Sequence, residues 1–348
     1  MKALAYRGPE DLRVEERPEP EPGPGEAVLE VAACGICGTD LRIAAGQHRA
    51  YGDDSAIGRI PGHEVAGTIV SAGRDTGLRE GTKAFIAPNV GCGECRACRL
   101  GRVNLCERPQ AIGITRDGGF AERLLLGADL IAQGNVIELP DDADPRVLSL
   151  AEPLACVLRG SEACSIRRGD VVLIAGAGPI GVMHLLVAKL VEPAAVIVSE
   201  PSAERRAQAE RFGADRVVDP GAEDLAEVVR EMSGGLGADV VITAAPAAVA
   251  QRQALELAAK AGRINFFGGL PRGRSTVELD TNLIHYKELV VTGTTANTNE
   301  DCRKAVELIT SGAVDVGALL SARESLERAD RAFAAAASAE VMKVVIEP

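Results

Sequence analysis

The chain of 348 residues contains no tryptophan and only three tyrosines and six phenylalanines. A hydrophobic core must therefore be built from valine, isoleucine, leucine and alanine, the residues that fill parallel β-sheets covered on both faces. The remaining composition, with 46% hydrophobic and 25% charged residues, is that of an ordinary globular protein. Its length favours two domains.

Positive charge is also scarce. The 38 lysines and arginines are outnumbered by 50 aspartates and glutamates, which gives a formal net charge of -12. This balance argues against a nucleic-acid-binding surface, which would be basic, and against attraction to an anionic membrane.

Long apolar runs are absent, since no segment reaches the ~18 residues that a membrane span needs. The first residues, Met1 to Tyr6, are too short and too mixed for the hydrophobic part of a signal peptide. Nine cysteines, an odd number with several close together, are typical of a reducing compartment. We therefore expect a cytoplasmic protein.

Four of the cysteines lie within one segment, 91–106, which reads GCGECRACRLGRVNLC. The spacing of Cys92, Cys95, Cys98 and Cys106 is typical of a tetrahedral zinc bound by four thiolates. Such a site is structural, because four protein ligands leave no position for a substrate. The alternatives are a disulfide pair, which a reducing compartment disfavours, or unrelated buried thiols.

A second set of metal donors lies upstream of this segment. Cys37 stands between two glycines just before a predicted helix, whose dipole favours a thiolate. His63 and Glu64 follow in the segment PGHEVAG. Each is, taken alone, more typical of an ordinary buried or surface residue. Together the three supply one sulfur, one nitrogen and one oxygen donor, and three such donors with an open position describe a catalytic zinc.

Glu152, in the segment SLAEPLACVLRG, is a fourth candidate ligand. A carboxylate in an apolar helical stretch is costly unless it is paired or bound to a metal. The alternative is an exposed glutamate in the first turn of a helix, where the helix dipole favours it.

From Asp170 onward, predicted strands alternate with predicted helices. The segment DVVLIAGAGPIG is an apolar strand that runs into Gly176-x-Gly178-x-x-Gly181, with Pro179 at the start of a helix. The glycines permit a tight turn, close approach of a pyrophosphate and close packing of helix on strand, and proline suits a first helical turn. The pattern therefore predicts a dinucleotide-binding site.

The next strand ends at Glu200, about 20 residues beyond the glycines, where an acid binds a ribose 2′-hydroxyl. Its carboxylate would repel a 2′-phosphate, so the sequence favours NAD over NADP. Arg205 and Arg206 leave the alternative open, because an arginine here can accept a 2′-phosphate.

The alternation continues to give about six strands with helical crossovers, the number of a full dinucleotide-binding fold. Within it we predict a helix over 251–262 and a strand over 262–269. The final strand, VMKVVIEP, is not followed by a crossover. We expect it to rejoin the first half of the chain.

Together these motifs resemble the zinc-containing medium-chain dehydrogenase/reductase family over essentially the whole chain. The resemblance is carried by CGICGTD, PGHEVAG, the four-cysteine segment, AEPLAC, GAGPIG and the acid that ends the second strand. The Glu152-Pro153 pair is most similar to the sorbitol (polyol) dehydrogenase branch, and the threonine dehydrogenases are close neighbours. The resemblance implies an α/β fold, with a GroES-like catalytic domain over 1–150, a Rossmann domain over 151–294 and a segment over 295–348 that returns to the catalytic domain.

The resemblance also implies roles for individual residues. Cys37 and His63 would bind the catalytic zinc, with Glu64 and Glu152 as oxygen ligands, and Thr39 would pass on the substrate proton. Glu200 and Arg205 would contact the adenosine ribose. The residues that would line the nicotinamide are Ile180, Phe267, Gly268, Gly269, Thr294, Thr295 and Ala296.

One position departs from the family pattern. Five residues after the zinc cysteine, relatives often have a histidine that relays the proton to solvent, whereas this chain has Arg42. Arginine is not a base at neutral pH. His48 is close by in sequence and is an alternative relay.

The motifs and the resemblance together predict an NAD-dependent enzyme with two zinc ions per chain. The resemblance further implies that it oxidises a polyol, cyclitol or sugar (phosphate) and that it is a homodimer or homotetramer. The first alternative is a threonine-type or simple alcohol dehydrogenase. The second, from another class, is a non-catalytic sensor of NAD or zinc, since fold does not determine function.

Overall fold

The structure is a computed structural model that describes residues 1–271, 273–338 and 340–348. It contains two compact units, the first made of Met1–Ala155 with Ala296–Pro348 and the second of Cys156–Thr295.

The strands of the first part are β1 (Lys2–Gly8), β2 (Asp11–Glu16), β3 (Ala27–Gly35), β4 (Glu64–Ala72), β5 (Lys83–Ile86), β6 (Asn89–Val90), β7 (Gln110–Ala111), β8 (Arg123–Leu126) and β9 (Val136–Glu138). Its helices are α1 (Gly38–Ala44), α2 (Arg96–Arg99), α3 (Ala128–Ala132), α4 (Pro145–Leu148) and α5 (Ala151–Cys164), within which the boundary between the units falls. Short 3-10 helices cover Arg49–Tyr51, Asp54–Ala56 and Val103–Leu105.

The second unit continues with β10 (Val171–Ala175), α6 (Pro179–Lys189), β11 (Ala195–Ser199), α7 (Ala203–Arg211), β12 (Arg216–Val218), α8 (Leu225–Met232), β13 (Ala238–Thr243), α9 (Ala248–Leu257), β14 (Ala258–Phe266), α10 (Thr281–Lys287) and β15 (Val290–Gly293). The chain then returns to the first unit with α11 (Asn299–Thr310), β16 (Leu320–Ser325), α12 (Ala329–Ala337) and β17 (Lys343–Glu347), and with 3-10 helices at Gly317–Leu319 and Leu326–Arg328.

The first unit is built around a sheet in the order β16-β17-β3-β4-β5-β9, with β8 also paired to β3. Apolar residues from β3, β4 and β5 form its core with Phe120 and the aliphatic side chains of α12. The last strand, β17, runs antiparallel to β3, with Val345 opposite Gly35. The prediction that the C-terminal strand rejoins the first half is therefore confirmed.

The second unit is a parallel sheet in the order β12-β11-β10-β13-β14-β15, which is the strand order of a dinucleotide-binding fold. Alternate side chains of each strand point to opposite faces. One face packs Leu173, Ile197 and Val241 against α8, α9 and α10, and the other packs Val172 and Ile174 against α6 and α7. The predicted aliphatic core and the α/β fold class are both confirmed.

One element differs from the prediction. The helix predicted over 251–262 ends at Leu257, and β14 begins at Ala258, which pairs with Ala238. Ala261 has a φ of 58°, a left-handed conformation that a helix cannot contain. The alanine-rich sequence favours a helix locally, but pairing with β13 outweighs that preference.

Candidate active site

Cys37, His63 and Glu64 come together in the first unit. Cys37 immediately precedes α1, His63 immediately precedes β4, and Glu64 is the first residue of that strand. One ligand atom from each residue lies within 4.8 Å of the others. His63 and Glu64 are buried and Cys37 is half-buried. Zinc–ligand bonds of about 2.0–2.3 Å need only small adjustments of these side chains.

Two glycines make this approach possible. Gly62 has a φ of 97°, and a Cβ on it would lie 2.7 Å from the Cys34 sulfur. A Cβ on Gly35 would lie 2.0 Å from Glu64 Oε2. A side chain at position 35 would therefore displace the Glu64 carboxylate, and one at position 62, next to His63 in the chain, would clash with Cys34.

Asp40 supports two of the three donors and is a functional residue that the sequence analysis missed. It is buried, its Oδ2 accepts a hydrogen bond of 2.9 Å from the Cys37 N–H, and its Oδ1 lies 3.5 Å from His63 Nδ1. Burial alone would lower the pKa of His63, but the Asp40 carboxylate and the Cys37 sulfur raise it well above its usual value. A carboxylate beside a metal-binding histidine orients its ring and increases its basicity.

Glu64 has two oxygens in different surroundings. Oε1 accepts a hydrogen bond of 2.5 Å from Lys343 Nζ. Oε2 is buried and has no hydrogen-bond partner among the residues that the structure describes. A buried carboxylate oxygen is costly without a partner, so the residues present fit a cation at this position.

Glu152 lies in the first turn of α5 and is buried. Its carboxylate is not part of the group of three ligand atoms, and its Oε1 accepts a hydrogen bond of 2.7 Å from Asn297 Nδ2. Asn297 in turn accepts a bond of 2.8 Å from Asn89. Burial is the main cause of a raised pKa at Glu152, and the Glu64 charge acts in the same direction. Its place in the predicted ligand set remains a prediction.

Thr39 and Arg42 occupy the first and last turns of α1. Arg42 Nη2 donates a hydrogen bond of 3.0 Å to Thr39 Oγ1. The alternative relay, His48, uses its Nδ1 to accept a hydrogen bond of 3.3 Å from the Ala50 N–H. Burial, followed by the charges of Arg42 and Arg49, lowers the pKa of His48, so the ring is a neutral group near a cation.

The four cysteines of segment 91–106 also converge, since their sulfurs lie within 4.8 Å of one another. Backbone N–H groups point at the sulfurs: Cys95 N–H donates to Cys92 Sγ at 3.4 Å, and Cys92 N–H donates to Cys106 Sγ at 3.2 Å. The bond from Cys95 N–H is the largest cause of the lowered pKa of Cys92, which is about 6. Four converging thiols with a thiolate favoured at neutral pH fit a closed zinc site.

The glycine motif of the second unit joins β10 to α6. Gly176 has a φ of 111°, and a Cβ on Gly181 would lie 1.9 Å from the Gly176 carbonyl oxygen. Gly178 precedes Pro179, the first residue of α6. A Cβ on Gly178 would meet only the Arg205 guanidinium, at 3.9 Å. The turn thus leaves open space for a ligand at the helix N-terminus, where a phosphate is stabilised.

Glu200 follows β11 and is buried. Its Oε2 accepts a hydrogen bond of 2.7 Å from the Ala177 N–H, and its Oε1 accepts one of 3.0 Å from the Ser202 N–H. The two arginines beyond it differ in their contacts. Arg206 pairs with Asp219 at 3.0 Å, whereas the Arg205 Nε has no hydrogen-bond partner among the described residues.

The segments predicted to line the nicotinamide lie at the carboxyl ends of parallel strands. Phe267 to Gly269 follow β14, and Thr294 and Thr295 follow β15, while Ile180 is the second residue of α6. The carboxyl ends of the strands lie at one edge of a parallel sheet, which is where such sheets bind ligands. Ala296, the next residue, has a φ of 51°, a conformation that is uncommon outside glycine and clusters at functional sites.

Among the described residues, the structure contains no helix long and apolar enough to cross a membrane.

Comparison with known proteins gives consistent results for both units. Residues 23–141 match the alcohol dehydrogenase GroES-like domain, and residues 179–311 match the zinc-binding dehydrogenase family. The chain is 34% identical to an L-threonine 3-dehydrogenase of Pyrococcus horikoshii, over 94% of this chain and 92% of that protein. It is 30% identical to a sorbitol dehydrogenase of Halalkalibacterium halodurans, over 100% of this chain and 99% of that protein.

A solved structure agrees with these relatives. A putative zinc-binding dehydrogenase of Sinorhizobium meliloti bound to NADP is 36% identical, has a TM-score of 0.91 and covers 100% of this chain and 99% of its own. The family and the fold class predicted from the motifs are thus confirmed. The chain belongs to the zinc-containing medium-chain dehydrogenases, a family of oxidoreductases.

Proposed function

We propose that this oxidoreductase transfers a hydride from a secondary alcohol of a polyol, cyclitol or sugar (phosphate) to NAD. The observation that carries the proposal is the convergence of the Cys37, His63 and Glu64 ligand atoms within 4.8 Å. One sulfur, one nitrogen and one oxygen donor suit a catalytic zinc with an open position. The sorbitol dehydrogenase relative supports the polyol class.

The residues around this group have separate tasks. Bound zinc supplies a Lewis acid that makes a substrate hydroxyl more acidic. Thr39 would accept the substrate proton at its Oγ1 while it releases its own hydroxyl proton to water, and Arg42 holds this oxygen by a hydrogen bond of 3.0 Å. Asp40 orients the His63 ring. Glu152 would serve as a second carboxylate ligand that alternates with Glu64, so that one position on the metal stays open for the substrate.

A second zinc would be held by the thiolates of Cys92, Cys95, Cys98 and Cys106. Four protein ligands would leave no position for a substrate, so this zinc would support the segment and take no part in the reaction.

For the cofactor, we propose NAD, held with its pyrophosphate at the start of α6. The carboxylate of Glu200 lies at the end of β11, where it disfavours a 2′-phosphate. The S. meliloti relative is bound to NADP, and Arg205 is the residue of this chain through which a 2′-phosphate would be accepted. The activity assay therefore includes both NAD and NADP.

The second candidate function is the oxidation of L-threonine. The specific observation in its favour is the 34% identity to L-threonine 3-dehydrogenases, which exceeds the 30% identity to the sorbitol dehydrogenase. The same metal ligands and the same hydride transfer would serve both substrates. The two candidates differ only in the groups around the hydroxyl that is oxidised.

The test is NADH formation by the zinc-loaded protein with hexitols, inositols, aminocyclitols, sugar phosphates, L-threonine and simple alcohols, each with NAD and NADP. Turnover of one polyol-like substrate with NAD is the expected result. Turnover of L-threonine alone would reject the polyol substrate and support the second candidate function. A chain that binds zinc only at the four cysteines and turns over no substrate would refute both, and would favour a sensor.

A further inference from the structure

Lys343 is the first residue of β17 and lies beside the metal-binding group. Only 5% of its side chain is exposed. Among the residues that the structure describes, no other lysine or arginine is buried to this degree. A buried ammonium is costly unless it is paired, so its position calls for a specific reason.

Two bonds fix the Lys343 ammonium. Its Nζ donates to Glu64 Oε1 at 2.5 Å and to the carbonyl oxygen of Ile36 at 2.9 Å. The side chain of Glu64 is completely buried. The pair is thus a fully desolvated ion pair, which is strongly coupled because water does not screen it.

The strands hold both partners in register. Strand β3 lies between β4 and β17, with Gly35 opposite Glu64 on one side and opposite Val345 on the other. Because Gly35 has no side chain, the Glu64 carboxylate lies directly against its backbone, where a Cβ would be 2.0 Å from Oε2. The carboxylate therefore has little freedom to turn.

This arrangement leaves the two carboxylate oxygens of Glu64 in different states. Lys343 occupies Oε1, whereas Oε2 is the buried oxygen without a hydrogen-bond partner among the described residues. A metal bound with Cys37 and His63 would therefore share Glu64 with the ammonium. Two cations that share one carboxylate compete for it and repel each other.

We propose that Lys343 is a positioning residue that competes with zinc for the Glu64 carboxylate. It limits Glu64 to one oxygen for the metal, and it keeps the zinc affinity of the site lower than the three donors alone would give. The inference rests on the catalytic metal site of the proposed function. This role agrees with the presence of a further carboxylate, Glu152, which interacts electrostatically with His63 and Glu64. A Glu64 that binds the metal through one oxygen is released more easily, so Glu152 can replace it as a ligand.

The sign of the effect of losing Lys343 follows from the ion pair. Without the ammonium, the metal-free protein keeps a buried carboxylate that lacks its partner, which is unfavourable. Metal binding then supplies the missing cation, so more of the pairing energy goes into metal affinity. A lysine that served only to hold β17 in the sheet would not produce tighter metal binding when replaced.

The experiment compares Lys343→Gln and Lys343→Met with the wild type. Each protein is stripped of metal and titrated with Zn2+ against a competing chelator, and with Co2+, whose visible spectrum reports the ligand set. The four-cysteine site is an internal reference within every sample. Lys287→Met is the matched control, because among the described residues Lys287 Nζ bonds to the carbonyl oxygens of Leu255, Glu256 and Ala258 in the second unit.

The expected result is an affinity at least tenfold higher at the Cys37, His63 and Glu64 site in both variants, with a changed Co2+ spectrum. Affinity at the four cysteines should not change, and Lys287→Met should match the wild type at both sites. Lys343→Arg, which keeps the charge, should also retain wild-type affinity. In a Glu64→Gln background, Lys343→Gln should no longer tighten binding.

Equal or weaker binding in the Lys343 variants, with two metals bound by the wild type, would overturn this inference and leave the proposed function intact. If Lys343→Met does not fold, the zinc affinity of Lys343→Gln, which still donates a hydrogen bond, tests the inference. A wild-type protein that binds metal only at the four cysteines would instead reject the proposed function, and the inference with it.

Discussion

The contact between Arg42 and Thr39 restricts the routes by which a proton can leave the Thr39 hydroxyl. Arg42 Nη2 donates to Thr39 Oγ1 at 3.0 Å, and a guanidinium has no lone pair to accept a proton. His48 is partly buried, and its Nδ1 already accepts the Ala50 N–H. In the proposed reaction the proton therefore passes from the Thr39 hydroxyl to water. The fixed positive charge of Arg42 favours release of this proton.

We predict that Arg42→Gln lowers kcat/KM on the acidic side of its pH profile. Glutamine can still donate to Thr39 but removes the positive charge, so the apparent pKa of the reacting group should rise by about one pH unit, which is roughly tenfold in rate. The measurement is kcat/KM for NADH formation across pH. Arg49→Gln is the control, because Arg49 is a neighbouring exposed arginine, whereas the hydrogen bond to Thr39 comes from Arg42. Equal profiles for Arg42→Gln and the wild type would contradict the prediction.

His184 shows a different consequence of burial in the second unit. It lies in α6 with no exposed surface, its Nδ1 is 3.2 Å from Ser161 Oγ, and its ring packs edge-to-face on Phe267. Burial lowers its pKa from 6.5 to about 3. The folded protein therefore excludes a proton that the unfolded chain binds.

Because the pKa of His184 is lower in the folded state, protonation of the unfolded chain lowers the free energy of unfolding. This free energy is fully retained above pH 6.5 and falls as the pH drops towards about 3. At a slope of ~1.36 kcal/mol per pH unit, the loss between pH 6.5 and 5 is about 2 kcal/mol. Urea unfolding of the wild type and of His184→Gln at several pH values measures it. The variant should show a flatter pH dependence, and His285→Gln, which replaces an exposed histidine, should not.

Segment 91–106 is an element whose shape depends on its thiols more than on burial. From Cys92 to Leu105, every residue is exposed or half-buried, and Leu100 is 66% exposed. Its α-helix, α2, has four residues, and a 3-10 helix covers Val103–Leu105. Both are too short to be stable alone. Metal binding therefore supplies much of the free energy that orders this segment.

We predict that removal of zinc opens this segment while the two sheets persist. Trypsin should then cleave after Arg96, Arg99 and Arg102, which are exposed but protected by the folded turn. Limited proteolysis with mass spectrometry, alongside circular dichroism, tests this. Cys98→Ser should be cleaved even with zinc, whereas Cys156→Ser, which alters a cysteine outside the four, should resist; cleavage spread over the whole chain would contradict the prediction.

Local sequence pattern predicted those elements whose partners are near in the chain. The strand, glycine turn and helix around Gly176 were predictable, because the turn geometry itself requires glycine. Asp40 was missed although it carried a signal, since an acid three residues after Cys37 caps the helix that Cys37 begins. Glu64 and Lys343 are 279 residues apart in the chain, and no local pattern indicates that β17 brings them together.

The helix predicted over 251–262 shows the opposite failure. Alanine and lysine favour a helix there, yet the chain after Leu257 joins the parallel sheet. Strand pairing is decided by the neighbouring strand and the burial that it offers. Propensity read from one segment cannot include a partner that lies elsewhere in the sequence.

Across the whole molecule, the two groups of metal donors differ in what they leave available. The four cysteines form a group of four donors, whereas Cys37, His63 and Glu64 form a group of three, which would leave a position for substrate on a bound zinc. Both groups lie in the first unit, and the glycine motif lies in the second. The number of metals per chain therefore distinguishes an enzyme from a protein that only binds zinc.

We predict two zinc ions per chain and a clear separation of their roles. His63→Ala should retain one zinc, unfold at nearly the wild-type temperature because the four-cysteine site is intact, and lose turnover by roughly a thousandfold, the effect of losing several kcal/mol of Lewis-acid stabilisation. Metal analysis by mass spectrometry, thermal unfolding and the NADH assay measure the three effects on one preparation. Activity that survived the loss of this zinc would contradict the metal-assisted mechanism, because the chemistry would then not depend on the group that Cys37, His63 and Glu64 build.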